Sequence, residues 1–394
     1  MKIVIGCSST IDQGSGILSY CKNLILSMQA SGYDILFVGV KSKNNDWLVK
    51  NNINFYESDI YGSPEVEVRN LYKKLVSFEP QIIINNDNCF LQQLAPAIDA
   101  YFIFVLHLAN FAIGKLAKIN EEFVDRYIAI STDMKFDLVN KLGIPSNKVK
   151  VIFNGLYESH IRDKPLDKYT RDFNSKIVIC AGENSYRKGG DLFLNLLKRF
   201  QRNNHGYTFI WTAKKEPSLT KNLSNNKFIN IVDKLPKEQF EKLLYTANFI
   251  VLPSREEGCP MVLLEAMKGG VIPIVSNGKG AMREIIKHGV NGFVCDLDRW
   301  SEEVYSILTS PLESSALEYL SGNAKRTFLQ SFNNNEFAHE LIAGNNYSSG
   351  KNITRRISIY RWHRLGRNAN FVTSIFNRLC YRFGIVIKIK NIVL

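Results

Sequence analysis

The chain has 394 residues, of which 45% are hydrophobic and 22% charged, the composition of a globular protein long enough for two domains. Seven scattered cysteines form no C-x-x-C pair, which argues against a zinc site or a disulfide framework and favours a reduced compartment. The apolar start, residues 1–10, is too short for a signal peptide. The longest apolar stretch, residues 101–116, falls short of the roughly 20 residues that a membrane span needs. We therefore expect a cytoplasmic protein.

The formal net charge of +13 is concentrated at the carboxyl-terminal end. Residues 351–394 contain ten Lys and Arg residues and no Asp or Glu, which leaves only +3 for the first 350 residues. A basic tail with interleaved aromatic residues is compatible with a nucleic-acid-binding protein, and this is the non-enzymatic alternative. Because the remainder is nearly balanced in charge, we expect no nucleic-acid partner.

In the first half, short apolar strands alternate with helices, a pattern typical of a parallel sheet covered on both faces. The predicted strands are residues 2–6, 35–40, 81–85, 101–106, 127–130 and 149–153. A polar loop with Gly14, Ser15 and Gly16 joins the first strand to a helix over residues 17–29. This is the first turn of a doubly wound domain, and its glycines serve either a tight turn or contact with a ligand.

A second series of strands and helices follows. Its predicted strands are residues 177–180, 208–212, 228–231, 249–252, 271–275 and 292–295. We predict an α/β fold of two Rossmann-like, doubly wound domains facing one another across a cleft. The predicted organisation is a first domain at 1–155, a linker at 156–175, a second domain at 176–333, a helix returning to the first domain at 334–350, and a basic amphipathic tail at 351–394.

Two segments after strands carry candidate binding groups. His107 follows the strand at residues 101–106, where a lone histidine is usually structural, although this edge of a sheet is also where ligands bind. Arg187 and Lys188 lie in a glycine-bearing loop after the strand at residues 177–180. Two cations there suit a pyrophosphate, and a solvated basic loop is the equally weighted alternative.

Two carboxylates, Glu257 and Glu265, stand eight positions apart around Gly258-Cys259-Pro260. The spacing predicts a loop that becomes a helix over residues 261–268, with Pro260 at its start. Unpaired N–H groups of the first helical residues, Met261, Val262 and Leu263, would form a seat for an anion. Carboxylates beside an anion seat favour a ligand with both hydroxyls and phosphates, such as a sugar nucleotide, although a pair of surface glutamates is equally compatible with the spacing.

The runs at residues 253–258 and 263–267 resemble the E-x7-E signature of retaining glycosyltransferases of family 4, which have the GT-B fold. Residues 280–286 and 289–294 are similar to that family's next helix and strand, and the resemblance extends over about residues 2–347. It implies that Glu257 contacts the hydroxyls of the donor sugar and that Glu265 holds the ribose.

The resemblance also implies the remaining contacts to the donor. Lys188 matches the family's diphosphate-binding lysine, but Glu183 occupies the place of the family's arginine, and we infer that Arg187 supplies the missing charge. The other implied donor-binding residues are Gly14, Ser15, Gly16, Gly258, Pro260, Met261 and Val262. His107 would lie near the transferred sugar and is, with Glu257, an implied catalytic residue.

The activity so implied is retaining transfer of a sugar from a nucleotide-sugar donor to a glycan or lipid-linked acceptor, as in bacterial envelope polysaccharide assembly. No D-x-D triplet occurs in a metal-binding context, so we expect a metal-independent enzyme without a cofactor. The enzymatic alternatives are a soluble GT-B sugar synthase and a sugar-nucleotide epimerase. The sequence identifies neither the base and sugar of the donor nor the acceptor.

The tail, residues 351–394, lies outside the family pattern. Apolar residues at helical spacing over residues 371–383, preceded by five arginines, predict an amphipathic helix that lies on an anionic membrane surface. The enzyme would then be peripheral on the inner face of the cytoplasmic membrane. The alternative is that the apolar stripe packs on the protein's own core.

Overall fold

The computed structural model describes residues 1–12, 15–108, 111–157, 176–202, 206–213, 228–233, 235–333, 336–343, 353–354, 356–361 and 387–393. They form two compact units, Met1–Phe153 with Asn335–Leu394, and Asn154–Asn334. We call these the first and the second domain. Each is built around a parallel sheet, so the prediction of two Rossmann-like α/β domains is confirmed.

The first domain contains a seven-stranded sheet in the order β3-β2-β1-β4-β5-β6-β7, with all neighbours parallel. Its strands are β1 Lys2–Thr10, β2 Asp34–Val40, β3 Asn54–Ser58, β4 Ile82–Asn86, β5 Tyr101–Leu106, β6 Arg126–Ala129 and β7 Val149–Val151. The order of the chain reverses between β1 and β4. In open α/β sheets, such a switch point opens the carboxyl edge to ligands.

Helices connect these strands. They are α1 Gly16–Ala30, α2 Asp46–Lys50, α3 Pro64–Phe78, α4 Cys89–Leu94, α5 Phe111–Lys118 and α6 Thr132–Phe136, followed by a π-helical turn at Asp137–Lys141. The sequence predicts one helix over residues 91–98, but α4 ends at Leu94 and a 3-10 turn continues through Pro96. Proline supplies no N–H to the α-helical hydrogen-bond pattern, which explains the early end.

The second domain contains a six-stranded parallel sheet in the order β10-β9-β8-β11-β12-β13. Its strands are β8 Ile177–Ala181, β9 Thr208–Thr212, β10 Ile229–Val232, β11 Phe249–Leu252, β12 Ile272–Ser276 and β13 Phe293–Cys295. Its helices are α7 Gly190–Arg202, α8 Lys237–Thr246, α9 Met261–Lys268, α10 Met282–Ile285, α11 Trp300–Thr309 and α12 Ser314–Ser331. Here the switch point lies between β8 and β11.

Burial on both faces explains why these strands read as continuous apolar runs. All four residues of β11 are buried. The second-domain core includes Phe193 and Trp211, whose ring centroids lie 5.1 Å apart in an edge-to-face arrangement. This packing fixes the sheet, and the loops at its carboxyl edge then carry the polar residues.

The chain returns to the first domain after α12. Helix α13, Glu336–Ile342, places Phe337 against Tyr20 of α1, with ring centroids 6.0 Å apart. Glu340 of the same helix pairs with Lys150 at 2.9 Å. The side chains of α13 thus join the first domain, although the helix lies far from its other elements in sequence.

Both ends of the basic tail form strands that the sequence analysis missed. Strands β14 Arg356–Arg361 and β15 Ile387–Val393 pair antiparallel, with Ile357 opposite Ile392. These two isoleucines are buried, and β14 packs on α3 and α4. The amphipathic helix predicted at residues 371–383 lies outside the described residues. Within the part of the chain that is described, no helix has the length and apolarity needed to cross a bilayer.

Candidate functional site

The first carboxylate of the motif, Glu257, lies in the loop that follows β11 and is only 7% exposed. Its Oε1 accepts a hydrogen bond from Ser254 Oγ at 2.8 Å and a second, charge-assisted one from Lys188 Nζ. A guanidinium nitrogen of Arg187 lies 3.7 Å from Oε2. The carboxylate therefore has two cationic neighbours, and it holds the two predicted basic residues in one place.

Glycines after β12 allow this loop to pack closely. The Glu257 N–H donates to the carbonyl of Lys279 at 2.9 Å. Gly280 has φ +117°, and a Cβ at this position would lie 1.7 Å from the Glu257 carbonyl oxygen. A side chain there would displace the carboxylate loop, so the glycine is required both by its backbone angle and by the close approach.

The basic loop between β8 and α7 packs directly on the carboxylate loop. Gly189 has φ +67°, and a Cβ there would lie 2.0 Å from the Pro253 carbonyl oxygen. Arg187 donates a guanidinium N–H to the Glu256 carbonyl at 3.0 Å, and the Arg255 N–H donates to the Arg187 carbonyl at 2.8 Å. These reciprocal bonds position Lys188 for its contact with Glu257.

Arg255 ties the same two loops together from outside. Its guanidinium makes two hydrogen bonds to the Asp191 carboxylate, at 2.7 and 2.8 Å, and lies over the Tyr186 ring at 3.7 Å from the centroid. The hydrogen bond from Arg255 holds the pKa of Asp191 below its ordinary value. No local sequence pattern indicates this contact, because its partners are 64 residues apart.

The second carboxylate, Glu265, has very different surroundings. It is partly buried on α9, and its carboxylate makes neither a hydrogen bond nor an ion pair with any residue that the structure describes. Burial raises its pKa from 4.5 to about 7, against a smaller opposite effect of Lys237. An unpaired, half-desolvated carboxylate is suited to accept hydrogen bonds from a ligand's hydroxyl groups.

The start of α9 offers fewer free amides than the spacing predicts. The Leu263 N–H donates to the Pro260 carbonyl at 3.0 Å, so it is not part of an anion seat. This tight first turn is common where a helix begins without a side-chain cap, and Pro260 supplies none. The N–H groups of Met261 and Val262 have no acceptor among the described residues. Two amides, rather than three, remain for a phosphate.

The residues between the two glutamates are held in place through their backbone carbonyls. The Gly258 carbonyl accepts from the Ala281 N–H at 2.8 Å, and the Cys259 carbonyl accepts from Asn154 Nδ2 at 2.7 Å. The Cys259 thiol is buried, and burial raises its pKa to about 12. It is therefore not a thiolate nucleophile near neutral pH.

Glu183, in the place of the family's arginine, lies at the exposed rim of the basic loop. Its carboxylate is 3.9 Å from a guanidinium nitrogen of Arg187. Arg187 thus lies between the Glu183 and Glu257 carboxylates, and it shares the Glu257 carboxylate with Lys188. Its role in binding a diphosphate stays a prediction.

The first-domain candidates lie at the carboxyl edge of their own sheet. Ser15 caps α1, its Oγ accepting from the Leu18 N–H at 3.1 Å, and Gly16 is the first helical residue. A Cβ at Gly16 would meet no atom within 4 Å, so packing does not require this glycine. Gly14 lies outside the described residues.

His107 directly follows β5 and is 7% exposed. Its Nε2 lies 2.8 Å from Asn86 Oδ1, and the Tyr20 ring packs against it edge to face at 4.7 Å. Burial lowers its pKa to about 3, which keeps the ring neutral near pH 7. The sequence indicates the histidine but not Asn86, which is the last residue of β4.

Most of the second domain matches a known protein family. Residues 162–327 match the family described as Glycosyl transferases group 1. An uncharacterized glycosyltransferase of Methanocaldococcus jannaschii is 23% identical over 227 residues, which cover 55% of this chain and 58% of that protein. The chain therefore spans less than two thirds of the length of that relative.

Solved structures share the fold of both domains. Anabaena Alr3699/HepE in complex with UDP-glucose has a TM-score of 0.69 at 16% identity, covering 87% of this chain and 98% of that one. The apo form of the lipopolysaccharide outer core galactosyltransferase WaaB has a TM-score of 0.63 at 17% identity, with coverages of 87% and 99%. These likenesses establish the GT-B fold.

Proposed function

We propose that this chain, which carries a group 1 glycosyltransferase domain on a GT-B fold, transfers a sugar from a nucleotide-sugar donor with retention of anomeric configuration. The observation that carries the proposal is the contrast around α9. Glu257 lies among cations and Glu265 is unpaired, with two open helix amides between them. This arrangement suits one ligand with hydroxyls at both ends and a diphosphate in the middle.

The diphosphate is assigned to Lys188, Arg187 and the amides of Met261 and Val262. Cations and oriented N–H groups stabilise the charge that develops on the leaving diphosphate as the bond to the sugar breaks. The Anabaena neighbour was crystallised with UDP-glucose, which makes that compound the first donor to test. Gly258 and Pro260 contribute by shaping the loop that presents these amides.

Glu265 is assigned to the ribose, whose two neighbouring hydroxyls would each donate to one carboxylate oxygen. Glu257 is assigned to hydroxyls of the donor sugar. Its bond to Lys188 would link the sugar contact to the proposed diphosphate contact. We assign Glu257 as neither a covalent nucleophile nor a general base.

In the proposed reaction, the bond from the anomeric carbon to the diphosphate breaks with oxocarbenium character, and the acceptor hydroxyl attacks from the same face. The leaving phosphate takes the acceptor proton, so atoms and charge balance without a protein base. Gly14, Ser15, Gly16 and His107 of the first domain are proposed contacts to the diphosphate and the sugar. Activity that survives excess EDTA would support the proposed metal independence. Loss of activity that Mg²⁺ restores would contradict it.

The acceptor is proposed to be a glycan or a lipid-linked glycan of the bacterial envelope. One structural neighbour is a lipopolysaccharide galactosyltransferase, and the ten cations of residues 351–394 suit attraction to an anionic membrane surface. A peripheral position on the inner face of the cytoplasmic membrane would bring the enzyme to a lipid-linked acceptor.

The experiment for the function is a screen of UDP-glucose, UDP-galactose, UDP-N-acetylglucosamine, GDP-mannose and ADP-glucose by thermal shift, followed by product analysis. A bound donor raises the melting temperature because it binds only the folded state. Transfer to an added glycan supports the proposal, an altered sugar on the same nucleotide indicates the epimerase, and transfer to a free sugar indicates the synthase. Stabilisation by nucleic acid alone would overturn the enzymatic assignment.

A deletion that tests the membrane proposal must keep the paired strands β14 and β15. Removing residues 351–394 would also remove the buried Ile357 and Ile392 and would destabilise the first domain. We therefore suggest replacing residues 362–386 with a short Gly-Ser linker. Full-length protein should sediment with anionic vesicles at low salt and less at high salt. Equal sedimentation of the linker variant would rule out residues 362–386 as the anchor.

A further inference from the structure

A polar cluster lies at the switch point of the first sheet. Asn85, Asn86, Asp87 and Asn88 occupy the end of β4 and the turn after it, and all four are buried. Asn85 bonds to Gln92 Oε1 at 2.9 Å, and Asn88 caps α4 and donates to the Cys7 carbonyl at 3.1 Å. The fold itself accounts for these two asparagines.

Asn86 has one polar atom that the fold does not use. Its Oδ1 pairs with His107 Nε2 at 2.8 Å, whereas its buried Nδ2 has no acceptor among the described residues. Leaving a buried amide donor unpaired destabilises a fold, so buried donors almost always have a partner. An unpaired donor at a switch point indicates a ligand that supplies the acceptor.

The bond to Asn86 also determines the chemistry of His107. An amide oxygen can only accept, so the ring hydrogen lies on Nε2 and Nδ1 keeps its lone pair. The edge-to-face contact with Tyr20 limits rotation of the ring. No described residue bonds to Nδ1, so this nitrogen remains available as an acceptor.

Asp87, the next residue, has a strained backbone. Its φ is +62°, in the left-handed region that residues other than glycine, Asn and Asp rarely adopt, and the residue is 4% exposed. Such backbone conformations often occur at ligand sites. This one occurs directly beside Asn86.

We propose that Asn86 is a positioning residue that holds His107 in the Nε2–H tautomer and donates its Nδ2–H to a hydroxyl oxygen of a bound sugar. The amide and the imidazole then offer one donor and one acceptor to neighbouring hydroxyls of one neutral ring. The nature of the ligand rests on the proposed function. The tautomer does not, because it follows from the His107 and Asn86 contact alone.

The test compares Asn86→Ala and Asn86→Asp with the wild type, and with Asn23→Ala as a control. Asn23 is also buried in the first domain, but its amide bonds to the Ser19 carbonyl of its own helix at 2.8 Å. Asp at position 86 keeps an acceptor for Nε2–H and removes the donor, whereas Ala removes both. The Asp variant therefore separates the two parts of the proposal, and it serves as the second variant if the Ala variant does not fold.

Nitrogen NMR of the full chain labelled at its six histidines reports the tautomer without any ligand, with His107 assigned by comparison with His107→Gln. We expect the Nε2–H form in the wild type, Asn86→Asp and Asn23→Ala, and a mixture of tautomers in Asn86→Ala. An unchanged tautomer in Asn86→Ala would overturn the positioning role. This result is independent of whether the protein is a glycosyltransferase.

Turnover tests the donor role, with the nucleotide sugar that the wild type converts in the screen. Both Asn86 variants should lower kcat by about tenfold or more, and Asn23→Ala should not. Full activity of Asn86→Asp would overturn the hydroxyl contact while leaving the tautomer result intact. If the wild type converts no nucleotide sugar, the proposed function fails, and the NMR comparison still decides the positioning role.

Discussion

The carboxyl edges of the two sheets have the same topology and different chemistry. In the second domain the edge carries an ionic cluster, Lys188, Arg187 and Glu257, around two open helix amides. In the first domain the corresponding edge carries a neutral pair, the Asn86 amide and the uncharged His107 ring, with Asp87 next to Asn86 in the chain. The switch point of a doubly wound sheet supplies a place for a ligand, and the loops decide whether that place favours charge or hydroxyls.

The same contrast recurs within the second domain. Glu257 is bonded to a cation and a hydroxyl, whereas Glu265, one helix turn into α9, has no partner among the described residues. The two glutamates of the motif therefore differ in their capacity to bind a ligand. Glu257 is part of an ionic cluster, whereas the Glu265 carboxylate can accept hydrogen bonds from a ligand. Variants at the two positions should therefore have different effects on binding and turnover.

The largest effect is expected for Glu257→Gln. Turnover should fall on the order of 100-fold or more, because the charged contact to the sugar is lost in the transition state. The affinity for UDP should stay the same or rise, since Lys188 loses its carboxylate partner and becomes free for phosphate. Steady-state kinetics and calorimetry measure the two quantities. A parallel loss of UDP affinity and turnover would contradict the assignment to the sugar.

Glu265→Ala should weaken nucleoside binding by about 2–4 kcal/mol, because two charge-assisted hydrogen bonds disappear. At pH 8, removing the charge of Glu265 should instead stabilise the fold. The raised pKa of Glu265 means that the ionised carboxylate destabilises the fold, so Glu265→Gln should unfold at a higher temperature than the wild type at pH 8. Near pH 4 the two proteins should be equally stable. Unchanged nucleoside affinity in Glu265→Ala would remove the ribose role.

Lys188→Ala should weaken UDP binding by about 1.5–3 kcal/mol and leave uridine binding nearly unchanged. Lys198→Ala is the matched control, because Lys198 is an exposed lysine of the helix that follows the basic loop. Titration calorimetry with both ligands decides the matter. Equal losses for UDP and uridine would show that Lys188 supports the loop rather than the phosphate.

A smaller effect is expected from pH. Because the Glu265 pKa is raised to about 7, half of the free protein carries a protonated carboxyl near neutral pH. Uridine binds best to the ionised form, so its affinity should rise about tenfold from pH 6 to pH 8, with release of a proton. Uridine carries no phosphate that titrates in this range. Glu265→Gln should bind weakly and without this pH dependence, and a pH-independent wild type would contradict the account.

The ionic edge was largely predictable from the sequence, and the neutral edge was not. The E-x7-E spacing and the Arg187-Lys188 pair predict the two loops of this edge, because each feature lies within one short stretch of sequence. The resemblance to glycosyltransferases agrees with the match of residues 162–327 to Glycosyl transferases group 1, and the predicted fold is confirmed by the solved structures. The Asn86 and His107 pair depends on the register of two strands, and 21 residues separate the partners. No local pattern indicates such a contact.

Other differences have local physical causes. Strands β14 and β15 were missed because their basic residues were interpreted as part of a basic amphipathic tail. In β14 the arginines stand at the two ends, and in β15 lysines alternate with isoleucines. Strand β3 was missed because it is an edge strand with polar residues at both ends. The Leu263 amide was expected to be free, but a tight first turn of α9 pairs it with Pro260.

The most direct test of the central claim is calorimetric titration of the full chain with UDP, ADP, GDP and dTDP in the presence of EDTA. We predict that at least one of them binds, that Glu265→Ala and Lys188→Ala each weaken its binding, and that Lys198→Ala does not. Absence of binding by all four, or identical binding by the wild type and both site variants, would contradict the assignment of the second-domain edge to a nucleotide sugar.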